Sequence, residues 1–185
     1  WRADEHRLVC TPLTLYARLM VDLGELRGLR HPVVKTVNMT SMVDRLGERF
    51  GVKVYETPVG FKYIGPKMQE TGAMMGGEES GGFGFAMHLP ERDGIVADLF
   101  FLDFMLKTKK KPSELIAGLM KMAGPSFYLR RDLHFSAAEY AAVKERTMRT
   151  LREVAPEKLA GHAVARIVHL DTNDGTKFFL DDGSW

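Results

Sequence analysis

Over the first ~120 residues, short β-branched runs alternate with segments of helical period, and glycine or proline marks nearly every junction. That alternation restricts the chain to an α/β layer structure, with a mixed sheet flanked by helices. Leu13 to Leu26 places Leu15, Leu19, Met20 and Leu23 at helical spacing, and Gly28 follows as a stop. Pro32 to Val37 reads as a buried strand. Thr40 or Ser41 then starts a helix that turns Met42, Val43, Leu46 and Phe50 inward and ends at Gly51.

Val52 to Tyr55 gives a second strand, Phe61 to Glu70 a helix, and Ala73 to Met75 a third short strand. A long helix is expected from Arg92 to Lys107, and another from a Ser113 cap to about Met122. Gly124-Pro125 marks a break. Beyond it come a strand (Phe127 to Phe135), a helix (Ser136 to Val154) and a strand (Val164 to Leu170). An Asn173-Asp174-Gly175 turn then leads to a strand from Lys177 to Leu180. The expectation is an α/β domain over residues 1–123 and a partial, smaller α+β domain over residues 124–185.

Composition excludes several classes. The 26 basic and 24 acidic residues leave a net charge of +2, which gives no field for nucleic-acid binding. The run Lys107-Thr108-Lys109-Lys110-Lys111 has no interleaved aromatics and reads as a solvated helix C-terminus favoured by the helix dipole. A lone cysteine, Cys10, makes no internal disulfide and no Cys-based zinc site. No apolar run approaches the ~18 residues of a membrane span, and no signal peptide is evident, so the expected location is the cytoplasm, with no membrane partner. The sequence opens on Trp1 and closes on Leu180-Asp181-Asp182-Gly183-Ser184-Trp185, which reads as part of a longer polypeptide.

The chemistry concentrates in Met75-Gly76-Gly77-Glu78-Glu79-Ser80-Gly81-Gly82-Phe83-Gly84-Phe85. The segment follows a predicted strand, where α/β sheets bind ligands. Phosphate cradling is excluded, because neither Gly-Lys-Ser/Thr nor GxGxxG is present and two carboxylates would repel an anion. Neighbouring side chains of an extended segment point to opposite sides, which sets Glu78 and Glu79 apart and disfavours a glycosidase using both. Glu78 and Ser80, two residues apart, would share a side and suit a polyhydroxyl ligand. The residues themselves leave a second reading open, a structural loop that needs positive φ angles.

Gly77-Glu78-Glu79-Ser80-Gly81-Gly82 resembles the sugar-recognition loop of the α-D-phosphohexomutases, the phosphoglucomutase/phosphomannomutase superfamily. Tyr55 to Ile64 (YETPVGFKYI) and His88 to Ile95 (HLPERDGI) resemble the flanking segments of that family's third domain, in the same order and spacing. Val33 to Val37 resembles its opening strand, and the C-terminal LDTNDGTKFFLDDGSW resembles the start of its fourth domain.

The resemblance implies a hexose phosphate substrate, with glucose favoured over mannose. It also implies transfer through a phosphoserine and a glucose 1,6-bisphosphate intermediate. A magnesium ion held by an Asp-x-Asp-x-Asp loop would assist. By resemblance, Glu78 and Ser80 contact the sugar hydroxyls and Lys62 meets substrate oxygens, with a solvated helix lysine as the alternative for Lys62. Lys35 is a further candidate of that type. Gly77, Glu79, Gly81, His88 and Arg92 are expected to support the loop.

The phosphoserine loop, a full magnesium loop and the phosphate clamp are not found in these residues; Asp4 and Arg7 echo only the end of the metal loop. No catalytic or metal-binding residue is therefore assigned here, and the missing domains of the same polypeptide are implied partners. The fragment alone is expected to be inactive. A non-catalytic sugar-phosphate-binding or regulatory module is the alternative. The loop also departs from the Gly-Glu-Gln-Ser-Gly-His form usual in glucosamine-phosphate mutases, which lowers an amino-sugar substrate.

Overall fold

The computed structural model describes residues 12–127, 133–153, 156–169 and 175–185. The chain divides into two compact units, Trp1–Phe127 and Tyr128–Trp185.

The first unit is built on a four-stranded sheet in the order β2-β1-β3-β4. β1 (Val33–Thr36) pairs in parallel with β2 (Val54–Thr57) and β3 (Met75–Gly77), and β4 (Phe83–Phe85) folds back antiparallel on β3. The central strand is buried along its length, as a strand covered on both faces must be. Side chains alternate across it. Val34 joins Phe61, Ile64 and Met68 of α3 (Phe61–Thr71) on one face. Val33 faces the main cluster, with Tyr16, Leu19 and Met20 of α1 (Pro12–Val21) and Met42, Val43 and Leu46 of α2 (Met42–Phe50). α4 (Gly94–Thr108) and α5 (Pro112–Ala123) contribute Ala97, Phe104, Leu115 and Leu119 to the same cluster. The result is an α/β sandwich with α3 alone on one side.

Several expectations are displaced, each for a local reason. The first helix continues past Val21 as a π turn over Asp22–Leu26. β2 begins two residues late, because the Val52 N–H bonds the Gly47 carbonyl and finishes α2 instead. β3 likewise runs Met75–Gly77, so two glycines of the loop belong to the sheet. β4 was not anticipated: three residues with a central glycine carry too little periodicity to read. α4 starts at Gly94, because Asp93 is its cap. α5 is capped at Lys111 rather than Ser113, with Pro112 in the first turn and the Glu114 carboxylate accepting from the Lys111 N–H at 2.8 Å.

The second unit holds α6 (Ala137–Glu153) and a sheet in the order β5-β6-β7, from Lys158–Leu159, His162–His169 and Thr176–Leu180. Of the strand expected from Phe127 to Phe135, the described residues Phe127 and Leu133 to Phe135 are not in a strand, and Phe127 and Leu133 stand exposed. Residues 128–132 lie outside the described part, as do Asp4, Arg7, Cys10 and the turn residues Asn173 and Asp174. No helix among the described residues is long and apolar enough to cross a membrane.

Candidate functional site

The carboxyl ends of β1, β2 and β3 point the same way, and the chain leaves each through a polar segment. The third of these is the Glu78 loop. It is a tight hairpin turn rather than an extended run: the Glu78 N–H donates to the Gly82 carbonyl at 2.9 Å, and the Gly81 N–H to the Glu78 carbonyl at 3.1 Å. Gly81 takes φ +102°, which a side chain would resist. The alternation that set Glu78 and Ser80 on one side presupposes extended backbone, so it does not describe this turn. Glu78 is buried, Glu79 half-buried and Ser80 exposed.

The strand that carries the loop is glycine for packing, not flexibility. A Cβ on Gly77 would lie 2.3 Å from the Tyr16 ring, and one on Gly76 2.4 Å from Ile64. Tyr16 is wholly buried, stacks 5.4 Å from Phe83, and donates its hydroxyl to the Val34 carbonyl at 2.6 Å. The bare edge at Gly77 is what lets that ring reach the sheet.

Around Glu78 the charges are layered. Arg92 Nη1 lies 3.6 Å from Glu78 Oε2, and Arg92 Nε lies 3.5 Å from Glu91. Burial pushes the Glu78 carboxyl above its ordinary value. The Arg92 guanidinium opposes that rise, Glu79 and Glu91 add to it, and a hydrogen bond from the Gly60 backbone lowers it. Gly60 is the N-cap of α3, so the carboxylate sits at the positive end of a helix. Gly82 leaves the space: a Cβ there would come within 2.8 Å of Glu78 Oε2. One carboxylate oxygen of Glu79 is buried without a hydrogen-bond partner.

The other expected residues divide into two groups. Lys62 is exposed in the first turn of α3, two residues past Gly60, with its ammonium 4.9 Å from the Tyr63 ring. His88 Nε2 meets Asp93 Oδ2 at 3.1 Å, and the other oxygen of Asp93 accepts from the Val96 N–H at 3.0 Å. Sequence reasoning missed Asp93. Its signal was an aspartate two residues before the apolar Ile95-Val96-Ala97 run, an N-cap pattern.

Lys35 stands apart. It is buried on the α2 side of the sheet, its ammonium 2.5 Å from Asp44 and 3.6 Å from Glu56. Two carboxylates of its own neighbourhood engage it, a pairing that only tertiary structure creates.

Among the described residues, none near Glu78 form a group that could hold a metal ion. The one His/Asp/Glu group within coordinating reach among the described residues is His162, Asp181 and Asp182 in the second unit. There Nδ1 faces Asp181 at 3.2 Å and Nε2 faces Asp182 at 3.5 Å. The ring bridges two carboxylates from opposite edges. A groove of about 580 Å³ runs along α6 between Tyr140, Met148 and Arg149 and takes no residue from the Glu78 loop.

The arrangement at Glu78 offers a held carboxylate as acceptor, an exposed hydroxyl, two cations and a helix N-terminus, a set suited to a polar ligand with hydroxyls and negative charge. Comparisons with known proteins point the same way. A phosphoglucomutase/phosphomannomutase of Thermococcus kodakarensis is 30% identical over 82% of this chain and 29% of its own length. A phosphoglucosamine mutase of Campylobacter hominis is 35% identical over 65% of the chain and 26% of its own. The solved structure of a protein described as a phosphomannomutase, from Thermus thermophilus, superposes with a TM-score of 0.70 at 32% identity, covering 92% of this chain and 33% of that one. The chain thus spans less than a third of the length of the curated relatives named here. Residues 13–123 match the family described as phosphoglucomutase/phosphomannomutase, α/β/α domain III, and the chain belongs to that family.

Proposed function

We propose that this chain is the sugar-reading part of a cytoplasmic phosphohexomutase that interconverts hexose 1-phosphate and hexose 6-phosphate. Residues 1–123 would hold the sugar, and residues 124–185 would open a further C-terminal domain. The observation that carries this reading is the Glu78 carboxylate, buried at the α3 N-terminus and steadied by Arg92, with the exposed Ser80 hydroxyl in the same turn.

In this reading Glu78 accepts hydrogen bonds from two vicinal hydroxyls, and Ser80 donates or accepts beside it. Equatorial 3- and 4-hydroxyls present a similar face when a hexose is turned end for end. One Glu/Ser pair therefore serves a substrate that must bind in two orientations. Lys62, exposed beside the helix N-terminus, meets substrate oxygens. Gly77, Gly81, Glu79, His88 and Arg92 hold the turn, and Lys35, paired with Asp44 and Glu56, is the weaker candidate for meeting substrate oxygens. Phosphoryl transfer, a glucose 1,6-bisphosphate intermediate and the assisting magnesium ion belong to the whole enzyme. The Asp-x-Asp-x-Asp pattern that would hold the ion does not occur in these 185 residues.

The test is chemical-shift mapping of the chain with glucose 1-phosphate, mannose 1-phosphate and glucosamine 1-phosphate. Amides from Gly77 to Gly82 and at Lys62 should shift, most with the glucose ester. Glu78→Gln together with Ser80→Ala should abolish the response. Shifts elsewhere with a silent loop would sink the assignment.

A further inference from the structure

Residues 90–92 lie across three glycines drawn from three parts of the first unit. A Cβ on Gly65, in α3, would come 2.7 Å from the Pro90 carbonyl oxygen, and one on Gly84, in β4, 2.8 Å from that of Glu91. One on Gly82, in the turn, would come 3.1 Å from Arg92 Cδ. None of the three has a positive φ, so what they supply is space. The Asp93 N–H then donates to the Phe83 carbonyl at 2.9 Å and ties the end of the segment to β4.

This seat decides where Arg92 goes. Its stem runs over bare Gly82, and its guanidinium ends beside the buried Glu78 carboxylate, Nη1 to Oε2 at 3.6 Å. Glu91 folds back on it: Oε1 accepts from the Arg92 backbone N–H at 2.8 Å and lies 3.5 Å from Arg92 Nε. Both guanidinium distances exceed a hydrogen bond, so the link is charge. Of the groups facing Glu78, Arg92 and the Gly60 N–H at the α3 N-terminus favour its ionised form, and Glu79 and Glu91 oppose it. Lys62 stays exposed on α3, and His88 is engaged by Asp93. The ionised form matters because a carboxylate accepts through both oxygens, whereas the neutral acid turns one of them into a donor.

We propose that Arg92 is a positioning residue that acts on ligand through Glu78: seated by bare Gly65, Gly84 and Gly82 and turned by Glu91, its charge keeps that carboxylate an acceptor of ligand hydroxyls. This role rests on the sugar reading at Glu78. It gives Arg92 an electrostatic task distinct from holding the turn, and gives Gly82 and Glu91 parts in it.

Carbon-13 NMR of the Glu78 carboxyl, titrated across pH in the purified chain without ligand, tests the charge link. Glucose 1-phosphate affinity over the same range tests its use. Arg92→Gln should move the Glu78 midpoint upward. Its affinity should fall about 3- to 10-fold at pH values below both midpoints, and return to the parent's above both. Arg92→Lys keeps the charge and should keep most of each property. Gly82→Ala sets a methyl between the Arg92 stem and the carboxylate and should also move the midpoint upward. Circular dichroism should show all three folded, since Arg92 is exposed and Gly82 needs no positive φ. A midpoint that Arg92→Gln or Gly82→Ala leaves in place overturns the proposal, as does an affinity lost equally at every pH. A parent chain that does not bind glucose 1-phosphate overturns it too, together with the sugar-reading role. That failure is told apart because the midpoint, read without ligand, still moves in Arg92→Gln.

Discussion

Arg92 Nη1 lies 3.6 Å from Glu78 Oε2, but the two side chains differ sharply in environment: Glu78 is 7% exposed and Arg92 60%. The carboxylate has lost most of its water, and its cation has not. Attraction from a solvated guanidinium therefore only partly offsets the burial that raises the Glu78 carboxyl.

The first prediction concerns pH. A carboxyl whose folded pKa lies above its unfolded value binds more protons when folded, so stability declines as pH rises through that window. For Glu78 the window opens at the ordinary value of 4.5 and extends upward to the raised folded value. Glu78→Gln keeps the shape and removes the titration. Its melting temperature should match or trail the parent's in acid, then gain on it through the window and hold a constant lead at neutrality. Melts followed by circular dichroism across that range check it; a difference that shrinks with rising pH would contradict it.

Substituting Gly77 separates packing from flexibility. Gly77→Ala drives a methyl into the Tyr16 ring at 2.3 Å and toward Phe83 at 2.8 Å. The expected loss is about 1–3 kcal/mol, from overpacking between a sheet and a buried aromatic. Gly118→Ala, in α5 with nothing within 4 Å, should instead add about 0.5–1 kcal/mol. Urea unfolding of the two variants should move in opposite directions.

The Lys35 cluster predicts an order of effects. Asp44→Ala leaves a buried ammonium with Glu56 at 3.6 Å as its remaining carboxylate, whereas Lys35→Met replaces the ammonium by apolar volume. Because Asp44 is itself 44% exposed, the aspartate variant should lose about 2 kcal/mol rather than the larger cost of a fully buried pair. Lys35→Met should lose less. Equal losses in chemical denaturation would show that the charge is not what matters there.

At Asp93, hydrogen bonding to the Val96 N–H is the main cause holding the carboxyl below its ordinary value, and His88 adds to it. Asp93→Ala should lower the melting temperature by uncapping α4. Asp93→Asn should restore most of it, since the amide oxygen accepts the same bond. The aspartate's advantage over asparagine should fade as pH falls through the lowered carboxyl value, because protonation removes the charge. An alanine variant as stable as the parent would show the cap to be idle.

Sequence alone determined the layered α/β class, the order of helices and strands in the first unit apart from β4, and the Glu78 loop at a strand's carboxyl end. These are local signals: periodicities of 2 and 3.6, and glycine or proline at junctions, act within a few residues of one another. Only tertiary structure decided which glycines bend and which pack. Gly77 and Gly81 look alike in sequence, but the first touches Tyr16 from a different helix and the second turns the chain. Only tertiary structure, likewise, engaged Lys35 with Asp44 and Glu56, made β4 from three residues, and buried Glu78 while leaving Ser80 in water. Burial and charge pairing depend on neighbours distant in the chain, which the packed sheet brings together and local sequence does not encode.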